Sequence, residues 1–232
     1  MSGLKKKFLQ FFEKNKHLLI LLYFFVYLAW FAYVERTVTT NFHVIHTPLD
    51  DLIPFCEYFV IPYLLWFVYV AWGVVYFAFH NKSEYYKLCA FLFSGMTIFL
   101  IVSTVYPNGH YLRPTYFTHH NFCTMLCDFL YSTDTATNLF PSIHVYNSLG
   151  IHLAVIHSKE YKNNRIVKLL SGTLATAIIL STMFIKQHST FDVLTAFLLA
   201  FIMYRVVYVH NWSKASQKSP RRVKNGLTKT EL

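Results

Sequence analysis

The chain reads as long apolar stretches separated by short polar ones. Six stretches carry few charges, at about residues 17 to 34, 55 to 79, 88 to 105, 140 to 157, 166 to 186 and 189 to 209. Each approaches the ~20 residues that a helix needs to cross a hydrocarbon core roughly 30 Å thick. The pattern predicts an all-α integral membrane protein, with six transmembrane helices in a bundle. Residues 1–210 form the membrane domain in this reading, and residues 211–232 a basic tail expected to be disordered. Two longer connections, 35–54 and 106–139, leave no room for a second domain. Only a few residues around Lys186 to Ser189 part the fifth span from the sixth, which predicts a helical hairpin. Pro62, within the second span, marks a kink or a late span start.

Composition strengthens the membrane reading. Charged residues make up 14% of the chain and aromatic residues 19%, against about 25% charged in an average soluble domain. That balance excludes a soluble globular enzyme, a disordered chain and a nucleic-acid-binding arm. The net charge of +10 is spread between the spans and does not form a patch for nucleic acid. Of the 21 Lys and Arg residues, all but Arg113, Arg36 and Lys186 fall on one side of the six spans. The positive-inside rule therefore places both termini in the cytoplasm. The run from Leu18 to Val34 ends in bulky Trp30, Phe31 and Tyr33, so it reads as a retained anchor and not as a cleaved signal. Cys56 and Cys89 lie in or at apolar spans, whereas Cys123 and Cys127 share the outer connection and are placed to pair if that connection is not helical. Tyr106, Tyr111 and Trp212, near span ends, read as interfacial anchors.

Orientation brings three polar clusters to one membrane face: Tyr106 to Pro114, Pro141 to His144, and Ser181 to Asp192. Ionisable groups at membrane depth are functional candidates by default. His188 and Asp192 are four apart, so a sixth span starting near His188 puts them on one helical face. A carboxylate on one imidazole nitrogen fixes the tautomer and frees the other nitrogen as base or nucleophile. His144 supplies a second imidazole, suited to protonating a leaving oxygen. Pro141 suits the first helical position of the fourth span, and Ser142 follows with a hydroxyl. A helix N-terminus there favours a phosphate, and Arg113 adds a planar charged fork for its oxygens. Taken singly, each element also has a structural explanation as a helix start or a polar pair between packed spans. Their joint placement on one face carries the functional reading.

These residues make the chain resemble the type 2 phosphatidate phosphatase (lipid phosphate phosphatase) superfamily. That family has six spans and three motifs, Lys-x6-Arg-Pro, Pro-Ser-Gly-His and Ser-Arg-x5-His-x3-Asp. Arg113 and Pro114 match the end of the first, Pro141, Ser142 and His144 the second, and Ser181, His188 and Asp192 the third. The resemblance implies that His188 is the nucleophile taking the phosphoryl group, Asp192 its orienting partner and His144 the acid that releases the alcohol. It also implies Ser142, Ser181 and Arg113 as substrate-binding residues, with no metal and no cofactor. Three positions depart from the pattern: Tyr106 for Lys, Ile143 for Gly and Thr182 for Arg. Lys186, one turn after Thr182, is expected to return a cation to the phosphate. Similar His, His and Asp arrangements serve the related inositol phosphorylceramide and sphingomyelin synthases, so water and an alcohol both stay open as acceptors.

The expected partners are the bilayer and a membrane lipid or lipid-linked phosphate at the outer face of a multi-pass protein, and the expected location is the cell membrane. Phosphatidate, an isoprenoid diphosphate, a sphingolipid and a nonlipid phosphate all fit the sequence, and nothing in it sets the oligomeric state. A reading from another class is a non-catalytic lipid-binding or transport protein that kept the scaffold while losing two clamp charges. His110, His119 and His120 invite a zinc site, but no carboxylate or Cys recurs at a recognised ligand spacing.

Overall fold

The computed structural model describes residues 13–38 and 40–210. The first lysines and the tail expected to be disordered, 211–232, lie outside the described residues. Helix α1 (Tyr23–Thr37) is entered through a 3-10 turn, Lys16–Leu22. A short α2 (Pro48–Leu52) precedes α3 (Val60–His80) and α4 (Lys82–Val105). Then follow α5 (Phe122–Thr133), α6 (Ile143–His157), α7 (Arg165–Phe184) and α8 (Thr190–Tyr204), the last running into a π turn, Arg205–Val209. A two-residue parallel pair, β1 (His43–Val44) with β2 (Asn108–Gly109), ties the two long connections together.

Among the described residues five segments are long and apolar enough to cross a membrane: Lys16–Thr37, Glu57–His80, Lys82–Val105, Arg165–Phe184 and Thr190–Val209. The protein is thus an all-α, integral multi-pass membrane protein. The fourth expected span differs. Helix α6 has 15 residues, about 22 Å at 1.5 Å per residue, less than a hydrocarbon core. Its length is set at the front by Ser142, which caps it from an extended backbone with its side chain accepting the Val145 N–H. Pro141 therefore precedes the cap and is not the first helical residue, as the sequence suggested. Pro62 sits in the first turn of α3, where a missing N–H loses no helical bond. The proline therefore belongs to the start of α3. The third span starts early, because the Asn81 side chain accepts the Ser83 and Glu84 N–H groups and draws Lys82 to Lys87 into α4.

Short as it is, α6 is the central helix, packed against α3, α4, α7 and α8. Close approach is set by small residues. A Cβ added at Gly95 would lie 2.0 Å from the Tyr146 ring, and one at Gly150 2.7 Å from the Phe91 ring. The Tyr146 hydroxyl crosses to α4 and donates to the Phe91 carbonyl at 2.8 Å. Around this seam Leu88, Phe91, Leu100, Val145, Ile151 and Ile178 are fully buried. The outer connection 106–139 is not open coil: it contains amphipathic α5, which starts at an Asn121 capping box. Cys123 and Cys127 therefore sit on one helix, and both are free thiols.

Candidate active site

The end of the bundle that carries the connections 35–54 and 106–139, called the outer end after its expected orientation, is assembled by side chains that bond backbone across long sequence separations. Asn108, fully buried, accepts the Leu139 and Phe140 N–H groups on its Oδ1 at 2.9 and 3.0 Å, and its Nδ2 donates to the Tyr106 carbonyl. This fixes the segment leading into Ser142 and α6. Ser142 N–H donates to the Asp192 carbonyl at 3.3 Å, which docks the start of α6 against the start of α8.

The connection between α7 and α8 carries His188. Helix α7 ends at Phe184, and Lys186 takes a left-handed backbone with φ 53°. The chain then reverses so that the Gln187 and His188 N–H groups both donate to the Thr182 carbonyl at 2.9 Å. Ser189 caps α8, and Asp192 at its third position accepts the Ser189 N–H at 3.0 Å on Oδ2. The same oxygen faces His188 Nδ1 at 3.4 Å. A carboxylate acceptor requires the proton on Nδ1, so Nε2 keeps its lone pair. That Nε2 faces His144 Nδ1 at 3.4 Å. His144 projects from the first turn of α6 between two rings of α3, with Tyr63 stacked at 4.5 Å and Trp66 tilted at 4.4 Å. Burial, reinforced by the Arg113 charge, pushes the His188 imidazole down to about 3 against the pull of the Leu139 carbonyl. His188 is neutral near pH 7 and only 4% exposed.

The other sequence-predicted residues fall into two groups. Arg113 lies in the same wall, but its fork is taken up by protein. Nη1 donates to the Asp134 carbonyl at 2.7 Å, Nη2 donates to the Thr135 carbonyl at 2.9 Å and to Gln187 Oε1, and the Tyr131 ring lies 4.7 Å beneath. Ser181 is fully buried with its hydroxyl donating to Ile178 of its own helix at 2.6 Å, and so serves the helix end. Lys186 does not share the Thr182 helical face. Because α7 has ended and the backbone is left-handed, its ammonium turns to the first outer connection and donates to the Asp50 and Ile53 carbonyls at 2.7 and 2.5 Å. Burial lowers its pKa, with Asp50 and Asp51 acting against that.

Three residues enter the site in roles the sequence did not give them, His110 having been weighed there only as a zinc ligand. Asp50, 3% exposed, accepts Ser189 Oγ–H at 2.6 Å, the Thr190 N–H at 2.7 Å and the Thr47 N–H at 2.8 Å. Burial raises its pKa, but these bonds outweigh that and hold it below the usual value. The signal was present in Thr47-Pro48-Leu49-Asp50, a capping-box pattern with Pro at the first position. His110 is buried, and Leu112 N–H donates to its Nδ1. Its Nε2–H therefore donates to the Gln187 carbonyl at 3.0 Å, and burial pushes it down to about 4. Gln187 is the third, with its side chain against Arg113 and 1% exposed. His119 and His120 are exposed, well apart in environment from His110. Among the described residues no three His, Cys, Asp or Glu side chains gather as a metal site.

Residues 112–215, which hold Arg113, His144, His188 and Asp192, match one family profile. They form a PAP2 superfamily domain. Searches of curated proteins and of solved structures gave no match to the chain. The PAP2 match begins after α4, so Asp50, His110 and the α3 rings that flank His144 come from outside it. The site therefore draws on segments from both sides of that boundary.

Proposed function

We propose that the protein is a membrane phosphatase that hydrolyses a lipid phosphate or diphosphate ester through a phosphohistidine at the outer face. One observation carries this reading. Within the PAP2 domain, His188 is held by Asp192 on one nitrogen and aims the other at His144. In the first step the His188 Nε2 lone pair attacks phosphorus and the P–O bond to the alcohol breaks. A proton on His144 passes to the departing oxygen. In the second step water attacks the phosphohistidine, His144 takes its proton, and phosphate leaves with His188 neutral again. The positive end of α6, which opens at Ser142, favours the anion through both steps.

In this proposal α6 completes a six-span bundle with both termini cytoplasmic. Ser142 orients the helix end, and the substrate is a membrane lipid or lipid-linked phosphate. The rings of Tyr63 and Trp66 against His144 limit water beside the acid. That favours a second reading with the same intermediate, in which a lipid alcohol accepts the phosphoryl group as in a head-group transferase.

Purified protein incubated with phosphatidate, an isoprenoid diphosphate and a sphingolipid, with and without an alcohol acceptor, tests both. Phosphate release together with an acid-labile phosphoenzyme supports hydrolysis, and transfer to the alcohol supports the second reading. Neither product from any substrate means a catalytically silent lipid-binding scaffold. For orientation, a cysteine at exposed His119 is expected to react with an impermeant thiol reagent in intact cells and one at exposed Asn163 not to react, in a background lacking Cys123 and Cys127. The reverse labelling puts the site in the cytoplasm.

A further inference from the structure

The charges missing at Tyr106 and Thr182 are not restored by Lys186, whose ammonium is bound elsewhere, and the Arg113 fork is occupied. The question is what else in this wall can bind phosphate oxygens. Gln187 is 1% exposed and stands next to His188. Its main chain is pinned twice, by the N–H to Thr182 and by the carbonyl that accepts from His110. Its side chain is pinned once, by Arg113 Nη2 on Oε1. The carboxamide cannot be turned over, because Nε2 would then face a guanidinium that only donates. Nε2 is left buried with no partner among the described residues. An unmet donor in a dry site is costly and calls for an acceptor.

It is not alone. Arg113 Nε and Trp66 Nε1 are also buried N–H groups without partners among the described residues. One belongs to the guanidinium that holds Gln187, and the other to the ring 4.4 Å from His144. Unmet donors thus belong to residues next to each of the two facing histidines, Gln187 beside His188 in the chain and Trp66 against His144. We infer that Gln187 Nε2 is a phosphate-oxygen donor of this site, oriented by Arg113, with Arg113 acting as a positioning residue through it. A neutral amide takes over work that a cation does in the motif this chain departs from. A preorganised donor aimed at developing oxyanion charge is effective without a formal charge when water is excluded. The inference rests on the phosphohistidine reading and names the group that would recognise the phosphate.

One competing account is structural: Asp192 Oδ1 is also unpartnered, and a water between it and Gln187 Nε2 would meet both needs. The test separates them with orthovanadate, which mimics the five-coordinate phosphorus, on the purified full chain. Gln187→Glu keeps the oxygen that meets Arg113 and puts a second oxygen in place of the donor. Gln187→Met removes both at similar volume. The expected result is normal thermal melting of at least one variant, with vanadate inhibition weakened and turnover lowered on the order of 10²-fold. Arg113→Lys, which disturbs the Gln187 orientation, is expected to weaken vanadate less than Gln187→Glu. Folded variants with wild-type vanadate affinity and turnover overturn the donor assignment alone. Wild-type protein that neither binds vanadate nor releases or transfers phosphate overturns the phosphohistidine reading beneath it.

Discussion

The body of the bundle and its outer end are built on opposite principles. In the body, α6 meets α3 and α4 through glycines and fully buried rings, with hydroxyl bonds such as Tyr146 to Phe91 and Tyr69 to Ser171 crossing between neighbouring helices. The outer end has a smaller apolar cluster of its own, around Val60, Tyr63, Leu130 and Ile185, but directional bonds place its site. Asn108, Asp50, Arg113 and Lys186 bond backbone groups far away in sequence. Packing is non-directional and tolerates drift, whereas a hydrogen bond fixes an atom to a few tenths of an ångström. The chemistry proposed for His188 needs the second kind of order. The body therefore holds the fold, and the outer end holds the geometry.

That division is open to attack from both sides. The largest effect is expected at the centre of the site: His188→Ala abolishes turnover and the acid-labile phosphoenzyme, and full activity in that variant ends the phosphohistidine reading. Next comes Asp50→Asn, which turns one acceptor of Ser189 and Thr190 into a donor. Turnover is expected to fall about 10-fold to 10²-fold, since small misplacement of reacting groups has effects of that order. If only the melting temperature moves, the outer end is ordinary scaffolding and the contrast with the body fails. In the body, Gly95→Ala drives a methyl into the Tyr146 ring. A loss of about 1–3 kcal/mol is expected, typical of overpacking, with turnover per folded molecule unchanged.

The smallest effect is one of pH. His110 and His188 are held neutral, at about 4 and about 3, while the unfolded imidazoles take up protons near 6.5. Their contribution is fully present above pH 6.5 and is lost as pH falls toward 4. Asp134, raised to about 6 by burial with Arg113 opposing, works in the other direction over part of that range. Melting temperature is therefore expected to drop on acidification with a slope of less than two protons, and His110→Asn to flatten it. A flat wild-type profile would mean that the outer end opens before the body does.

The two regions were also unequally legible in the sequence. The spans were readable because a helix crossing a membrane repeats one requirement for some twenty residues. Even there α6 came out shorter, since Ser142 caps it after Pro141 and the buried run before it does without helix. His144, His188 and Asp192 were findable by their spacing. The partners of Lys186 and Arg113 were not, because they are main-chain carbonyls, which leave no trace in residue identity. Spacing also placed Lys186 one helical turn from Thr182, and the left-handed residue at that point broke the rule. Asp50 carried a local signal, its capping box, but nothing local said that the same carboxylate reaches Ser189, 139 positions on.

The left-handed turn at Lys186 has a bearing on the order of assembly. A non-glycine residue is held there while its ammonium is gripped by carbonyls of Asp50 and Ile53, more than 130 positions earlier. Synthesis delivers those carbonyls first and the turn more than 130 residues later. Closing so long a loop is slow, and its reward arrives only when both ends have met. The nascent chain is therefore expected to pass through states with earlier helices inserted and packed, yet with His188 not facing His144, until the hairpin of α7 and α8 docks.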